Sequence, residues 1–406
     1  MSRFTSHTLL ILVIACSCLS GGTARARDLF VAQISIDGQP VVTRSTNRAR
    51  EIPELFDDGS LIRIDPGYDP NDPVSASLDL RGLSASLSYA GANTALRLLV
   101  PGAGIDVSFD GGSRDASEEL LEDFLQGDFG VAGLSATDLV QALVAHSPVD
   151  PVAGNPNSLQ SRMFAADFRM ATSGSFSSWA EGWPLPNVVS LDLGAGYTNA
   201  DGFDVASIDL PFHASLGVER FALLVDVPIA FTSTQGAWSG MGSGGIGLRV
   251  APTRWWAITP AARIGGVGSV DLGGLAVLYN ATLTSHIRIP IGPFAIGIGN
   301  MGGYTSSVDS IEVAGYALAY ELTNWVTRNG GYIEGNFGSD TLGLGLGWRV
   351  HGSDVRFFGS DLYMENYAEV GAGASAGAIL AGVGVDVAYF FGRNTRGVSA
   401  RVGLRF

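Results

Sequence analysis

The ten residues Gly397-Val398-Ser399-Ala400-Arg401-Val402-Gly403-Leu404-Arg405-Phe406 decide the fold class. In an extended chain successive side chains point to opposite faces. Val398, Ala400, Val402, Leu404 and Phe406 therefore share one face, and Ser399, Arg401, Gly403 and Arg405 share the other. One face is wholly apolar; the other mixes glycine, hydroxyl and charge. The same pattern recurs back to Val188. Val189, Leu191 and Leu193 oppose Ser190 and Asp192, while Ile208, Leu210 and Phe212 oppose Ser207, Asp209 and His213. Phe221, Leu223, Val225, Val227, Ile229 and Phe231 oppose Asp226 and Thr232. From Leu275 to Ile291, Val277, Tyr279, Ala281, Leu283, Ile287 and Ile289 oppose Asn280, Thr282, Thr284, His286 and Arg288.

These runs are about nine to thirteen residues long, against the five or six usual in a soluble sandwich. That is the length a tilted strand needs to cross a bilayer. Charged residues are only 16% of the chain and 55 residues are Gly, yet nothing after the amino terminus has the continuous apolar length of a spanning helix. Backbone amides in lipid must all be paired, so a sheet that crosses must close on itself. Tyr197, Trp255, Trp256, Trp348, Tyr389 and Phe391 fall near strand ends, where aromatic girdles belong. The expected fold is mainly β: a transmembrane antiparallel β-barrel of about 12 strands, ten to fourteen, preceded by a small α+β domain.

A strand of this kind that ends on Phe406 resembles the closing strand of bacterial outer-membrane β-barrel proteins. The resemblance implies that Phe406, with Leu404 and Val402 before it, is the signal read by the barrel assembly machinery. It also implies residence in the outer membrane, with membrane lipid as the surrounding partner.

The first 26 residues read as an export signal, with Arg3, the apolar stretch Thr8 to Ala15, and a small-x-small cleavage site at Ala24-Arg25-Ala26. Val13-Ile14-Ala15-Cys16 is a competing lipoprotein-like box that would acylate Cys16. Cys16 and Cys18 are the only cysteines, so cleavage after Ala26 leaves no thiol and removes disulfides, Cys metal sites and a Cys nucleophile together. All 24 basic residues are Arg and the net charge is −15, which gives nucleic-acid binding no electrostatic support. Residues 27–158 carry 20 acids against 8 Arg, and residues 159–406 carry 19 against 14, so the two parts are solvated differently.

The organisation expected is as follows. Residues 27–70 form an irregular segment with one apolar stretch, Val31 to Ile36, and the Pro-rich loop Asp65 to Pro73. Residues 71–150 form a small acidic α+β domain on the periplasmic side. Its strands are Ala76 to Leu80, Leu83 to Tyr89, Ala95 to Val100 and Ile105 to Phe109. Asp115 with Glu118 predicts a capping box for one helix that Gly127 ends; Ser135 with Asp138 predicts another that Pro148 stops. Residues 151–187 are a linker followed by either a first strand or a short helix threading the lumen. Residues 188–406 are the barrel.

With the apolar face toward lipid, Asp192, Asp209, His213, Asp226, Arg249, Arg263, His286, Arg288, Arg349 and Asp386 point inward, together with Arg401 and Arg405. Mixed signs in one lumen either pair across it as struts or form a transverse field that selects solutes. His213-Ala214-Ser215 has a His-x-Ser spacing similar to that of outer-membrane lipid A deacylases, and Glu219 is the nearby carboxylate. No His/Asp/Glu cluster has metal spacing, and His146 and His351 stand alone, so no metal, cofactor or catalytic set is expected. The function expected is an integral outer-membrane barrel acting as a passive channel for small solutes. The alternatives are an anchor or translocator for the amino-terminal domain, and a lipid-modifying enzyme using His213 and Ser215. Oligomeric state is not legible here.

Overall fold

The computed structural model describes residues 27–126, 130–131, 134–172, 187–218, 220–308, 311–313, 316–318, 320–337, 345–378 and 381–406. The export signal with Ala26 and Cys16, as well as Gly127 and Glu219, lies outside the described residues.

Residues 30–109 form one antiparallel six-stranded sheet. Its strands are β1 (Phe30–Ile36), β2 (Val42–Thr46), β3 (Val74–Leu80), β4 (Leu83–Tyr89), β5 (Leu96–Val100) and β6 (Ile105–Phe109), in the order β2-β1-β3-β4-β5-β6. The sheet thus crosses the boundary expected at residue 70. Phe30, Ala32, Ile34 and Ile36 alternate into the core and pair with Leu80, Leu78, Ala76 and Val74. The 37-residue excursion between β1 and β3 conceals that pairing in the sequence; it contains β2 and helix α1 (Asp58–Ile64). Helices α2 (Arg114–Gln126) and α3 (Ala136–His146) cover one face of the sheet through Leu121, Phe124, Leu139 and Leu143. Ser135 and Asp138 form the capping box of α3. The box expected at Asp115 does not form, because α2 starts two residues earlier and Ser113 Oγ accepts from Ala116 N at 3.2 Å.

Helix α4 (Leu159–Thr172) follows, and then the barrel. Its strands are β7 (Val188–Ala200), β8 (Phe203–Val218), β9 (Phe221–Thr234), β10 (Ala237–Thr253), β11 (Trp256–Ser269), β12 (Gly274–Ile291) and β13 (Phe294–Ser307). A small hairpin, β14 (Ile311–Val313) and β15 (Tyr316–Leu318), precedes β16 (Thr323–Asn336), β17 (Leu346–Gly359), β18 (Asn366–Ala378), β19 (Ala381–Gly392) and β20 (Thr395–Arg405). Twelve strands close antiparallel, because β20 pairs with β7 from Thr395↔Ala200 to Arg405↔Ser190. Ala195, Tyr197, Leu191 and Leu193 thereby meet Ala400, Val398, Leu404 and Val402, so the apolar set stays in register across the seam.

The outside of this cylinder is greasy. On β9 the outward set runs from Phe221 to Phe231, about 33 Å along the strand and roughly 25 Å at a tilt of about 40°. Leu191, Ile208, Leu223, Ile229, Leu283 and Ile298 are exposed. Trp238 and Trp325 stand near one rim, Trp255 and Trp256 near the other.

Candidate functional site: the lumen and the helix that occupies it

Helix α4 lies inside the barrel, packed against β9, β10, β11, β12 and β13. Gln160, Ser161, Met163, Phe164, Ala166, Asp167, Phe168 and Met170 are all buried, so the helix is covered on nearly every side. The wall makes room with glycine. A Cβ on Gly303 would fall 2.8 Å from the Phe164 ring, and one on Gly299 would fall 2.9 Å from Phe168. Met163, Phe164 and Phe168 join Val267, Leu278, Met301 and Val326 in one apolar cluster inside the lumen.

Polar anchors complete the fit. Asp167 is fully buried and accepts from Arg263 Nε at 2.8 Å and from Thr282 Oγ1 at 3.2 Å. Arg263 also donates to Asp226 Oδ2 at 2.7 Å and Ser243 Oγ at 3.0 Å. Arg249 donates through Nη2 to the carbonyls of Met170 and Ala171, both at 2.8 Å, which caps the negative end of the helix. Near the other end Arg162 pairs with Asp209, and Gln160 Nε2 donates to Asn324 Oδ1 at 2.9 Å. Arg328 lies over the Phe168 ring at 4.9 Å.

Several of the remaining inward groups pair with one another along the wall. Glu334 receives Arg288 at 2.7 Å and Arg349 at 2.6 Å, His286 Nε2 lies 3.0 Å from Tyr332 Oη, and His351 Nε2 lies 3.0 Å from Asp386. Asp192 and Arg401 line a cavity of about 350 Å3 on the side of the helix away from its packed face. His213 is 3.9 Å from Asp226, whose other oxygen is held by Arg263. Ser215 lines the same cavity, and among the described residues no hydrogen bond joins it to His213. Both point inward, away from the lipid-facing surface. No cluster of three or more His, Cys, Asp or Glu fit to hold a metal occurs among the described residues.

Arg162, Asp167, Arg328 and Glu334 were not singled out in the sequence. The first two lie on a helix whose packed side carries Gln160, Ser161 and Asp167 among its apolar residues, which blurs the period. The other two lie on β16, where Val326 and Tyr332 turn inward while Thr327 and Asn329 turn outward, so the alternation that marks other strands is blurred.

The amino-terminal domain is docked over one end of the barrel. Phe203, Ala237 and Leu272, at the turns of that end, belong to the domain's own core. Arg27 pairs with Asp201, Ala49 N donates to Asp271 O at 2.7 Å, and Asn47 Nδ2 donates to Gln235 O at 2.8 Å. The segment 147–158, which holds the start of the linker expected from residue 151, is almost entirely buried between domain and barrel. Tyr363 N and Met364 N, from the β17–β18 loop, donate to Val144 O at 2.9 Å and Gly154 O at 3.1 Å. Phe406 lies at the opposite end.

No family model matches the sequence, and no curated protein matches it. Solved structures with a similar outline are outer-membrane barrels. The β domain of the Bordetella autotransporter Brka is 10% identical, with 54% of this chain and 98% of that one covered at a TM-score of 0.43. The translocator domain of autotransporter NalP from Neisseria meningitidis is 12% identical, covering 61% and 95% at 0.44. The NanC porin is 12% identical, covering 53% and 98% at 0.36.

Proposed function

We propose that this chain is an outer-membrane anchor that carries its amino-terminal domain on the outer face of the membrane, with its own helix filling the lumen. The observation that carries this reading is the path of the chain. It leaves the domain at one rim, runs down the lumen as α4, and starts β7 at the rim where β20 ends. Sidedness follows from the connections. At the rim away from the domain, β8–β9, β10–β11 and β12–β13 are each joined by two residues, with β16–β17 the one long link. At the domain rim, β7–β8, β9–β10 and β19–β20 are also joined by two residues, but β11–β12, β13–β16 and β17–β18 have longer links, 270–273, 308–322 and 360–365. Short turns belong to the periplasmic rim and long loops to the outer one. A signal at Val402, Leu404 and Phe406 read from the periplasm agrees. The domain expected in the periplasm is therefore proposed to face outward.

This reading favours the anchor or translocator over an open channel, because α4, tied to the wall by Asp167 and Arg263, occupies the lumen. Proteinase K added to intact cells should remove the domain and leave a protected barrel. Protection of the domain until the outer membrane is ruptured would overturn the assignment. Planar bilayers with verified insertion should stay silent; stepwise conductance of the unaltered protein would restore the channel.

A further inference from the structure

Three parts of the molecule meet above the lumen: the β3–β4 turn, the buried connector 147–158, and the end of the loop before β16. Arg81 and Asp150 are each 0% exposed, with Nη2 and Oδ2 3.5 Å apart. Asp150 Oδ1 accepts from Val152 N at 2.9 Å and Ala153 N at 3.3 Å, which fixes the carboxylate to the connector. Among the described residues, none of the three Arg81 guanidinium nitrogens makes a hydrogen bond, and neither does Asp150 Oδ2 nor Tyr320 Oη. All of these atoms are buried.

The backbone shows that Arg81 is held there against preference. It sits at φ +55° beside Gly82 at φ +100°, in a two-residue turn that favours Asn or Gly. A Cβ on Gly82 would meet His146 O at 3.1 Å and Pro148 at 3.2 Å, so the turn lies directly on the connector. Tyr320 Oη would be 3.4 Å, and the Pro151 ring 2.9 Å, from a Cβ on Gly274. The phenol and the connector thus converge on one spot of the barrel rim.

We propose that Arg81, Asp150 and Tyr320 form an internal site for ordered water that latches the connector, and through it the lumen helix, to the amino-terminal domain. The ligand class follows from charge and donor count. Asp150 offsets the charge of Arg81, so the site carries no net charge to hold an ion. A guanidinium brings five N–H donors, far more than one carboxylate oxygen accepts, and buried water supplies the missing acceptors with two to four bonds of its own. The latch joins the domain, the connector and the rim at the point where α4 enters the barrel. It rests on α4 being the lumen plug, but its test does not require a silent pore.

The test uses the full-length protein in detergent and follows proteinase K cleavage within 147–158 by release of the domain fragment. Arg81→Met and Asp150→Asn each strand a partner, and each should speed cleavage about a hundredfold. Heat-modifiable migration of the barrel should stay unchanged. The double variant should recover most of the loss, since neither residue is then orphaned. Tyr320→Phe, the mildest change, should speed cleavage about fivefold. Single variants within about threefold of the parent, or effects that simply multiply in the double, would overturn the latch. Cleavage of the parent slowed by chloride or inorganic phosphate, with the effect lost in Arg81→Met, would show a bound anion and overturn the water assignment. Conductance with a slow-cleaving connector would sink the sealed-barrel reading and leave the latch standing.

Discussion

In the amino-terminal sheet Ala76, Leu78 and Leu80 are buried while Ser75 and Ser77 face water; on β9 Leu223, Val227 and Ile229 are the exposed set and Asp226 is buried. The two regions use one period and opposite signs. A period of two fixes which residues share a face, not which face meets the solvent. The sign comes from what each inner face has to satisfy. The domain encloses Phe109 and Phe124, ring centroids 5.4 Å apart, and needs no polar partner there. The barrel encloses Asp167, Asp226 and Arg263, and each depends on the others and on α4. Hydroxyls suffice on the domain's outer face because water completes them. Lipid completes nothing, so most of the barrel's outer face is apolar, with Asn329, Asp354 and Arg356 among the outward polar groups on β16 and β17.

The sharpest way to break this contrast is at its most polar point. Arg263→Met leaves Asp167 and Asp226 buried without their shared cation, a loss of about 3–5 kcal/mol. It should loosen α4, and single-channel recording should then detect openings that the parent lacks. Reversing the sign on the outside comes next. Val227→Arg, near the middle of the apolar band, should cost about 2–4 kcal/mol of barrel stability in a urea titration in bilayers. The same titration should find a charge at exposed Ser77 of the domain nearly neutral. Gly303→Ala presses a methyl on Phe164 and should cost about 1–3 kcal/mol, read as a lower threshold for opening.

The smallest effect belongs to the domain and reports its own electrostatics. Burial, followed by repulsion from Asp57, Asp115, Glu122 and Asp58, pushes the Glu118 carboxyl up to about 7. The folded domain therefore holds this proton more tightly than the unfolded chain. Its stability should be highest below the ordinary Glu range and fall as pH rises through 7. Glu118→Gln should flatten that slope in a domain melting series between pH 4 and 8; an unchanged slope would assign it to another group.

The barrel was legible because closure and lipid both leave marks at every second residue. About twelve strands were expected and twelve close. The closing strand β20 was read from its apolar face; its pairing with β7 was not, because the first strand was left open between 151–187 and 188. The lumen helix was legible only as one of two alternatives, because Gln160, Ser161 and Asp167 are buried among Met163, Phe164 and Phe168, and polar residues on the packed side blur the stripe. Its partner Asp167 carries no local signature either, since its meaning depends on Arg263, 96 residues away. The link between β1 and β3 was concealed for a related reason: an antiparallel pair separated by a long excursion leaves no turn signal to announce it.

The path of α4 also has a mechanical consequence. A tug on the amino-terminal domain is transmitted down the helix axis, in shear, and falls at once on the Arg162, Asp167 and Arg249 contacts instead of peeling strands one by one. Below, the thread is continuous with the first stave of the cylinder. Traction that snaps those ties would draw the cord taut against the hoop to which it is joined, so the cargo stays moored until a peptide bond is cut.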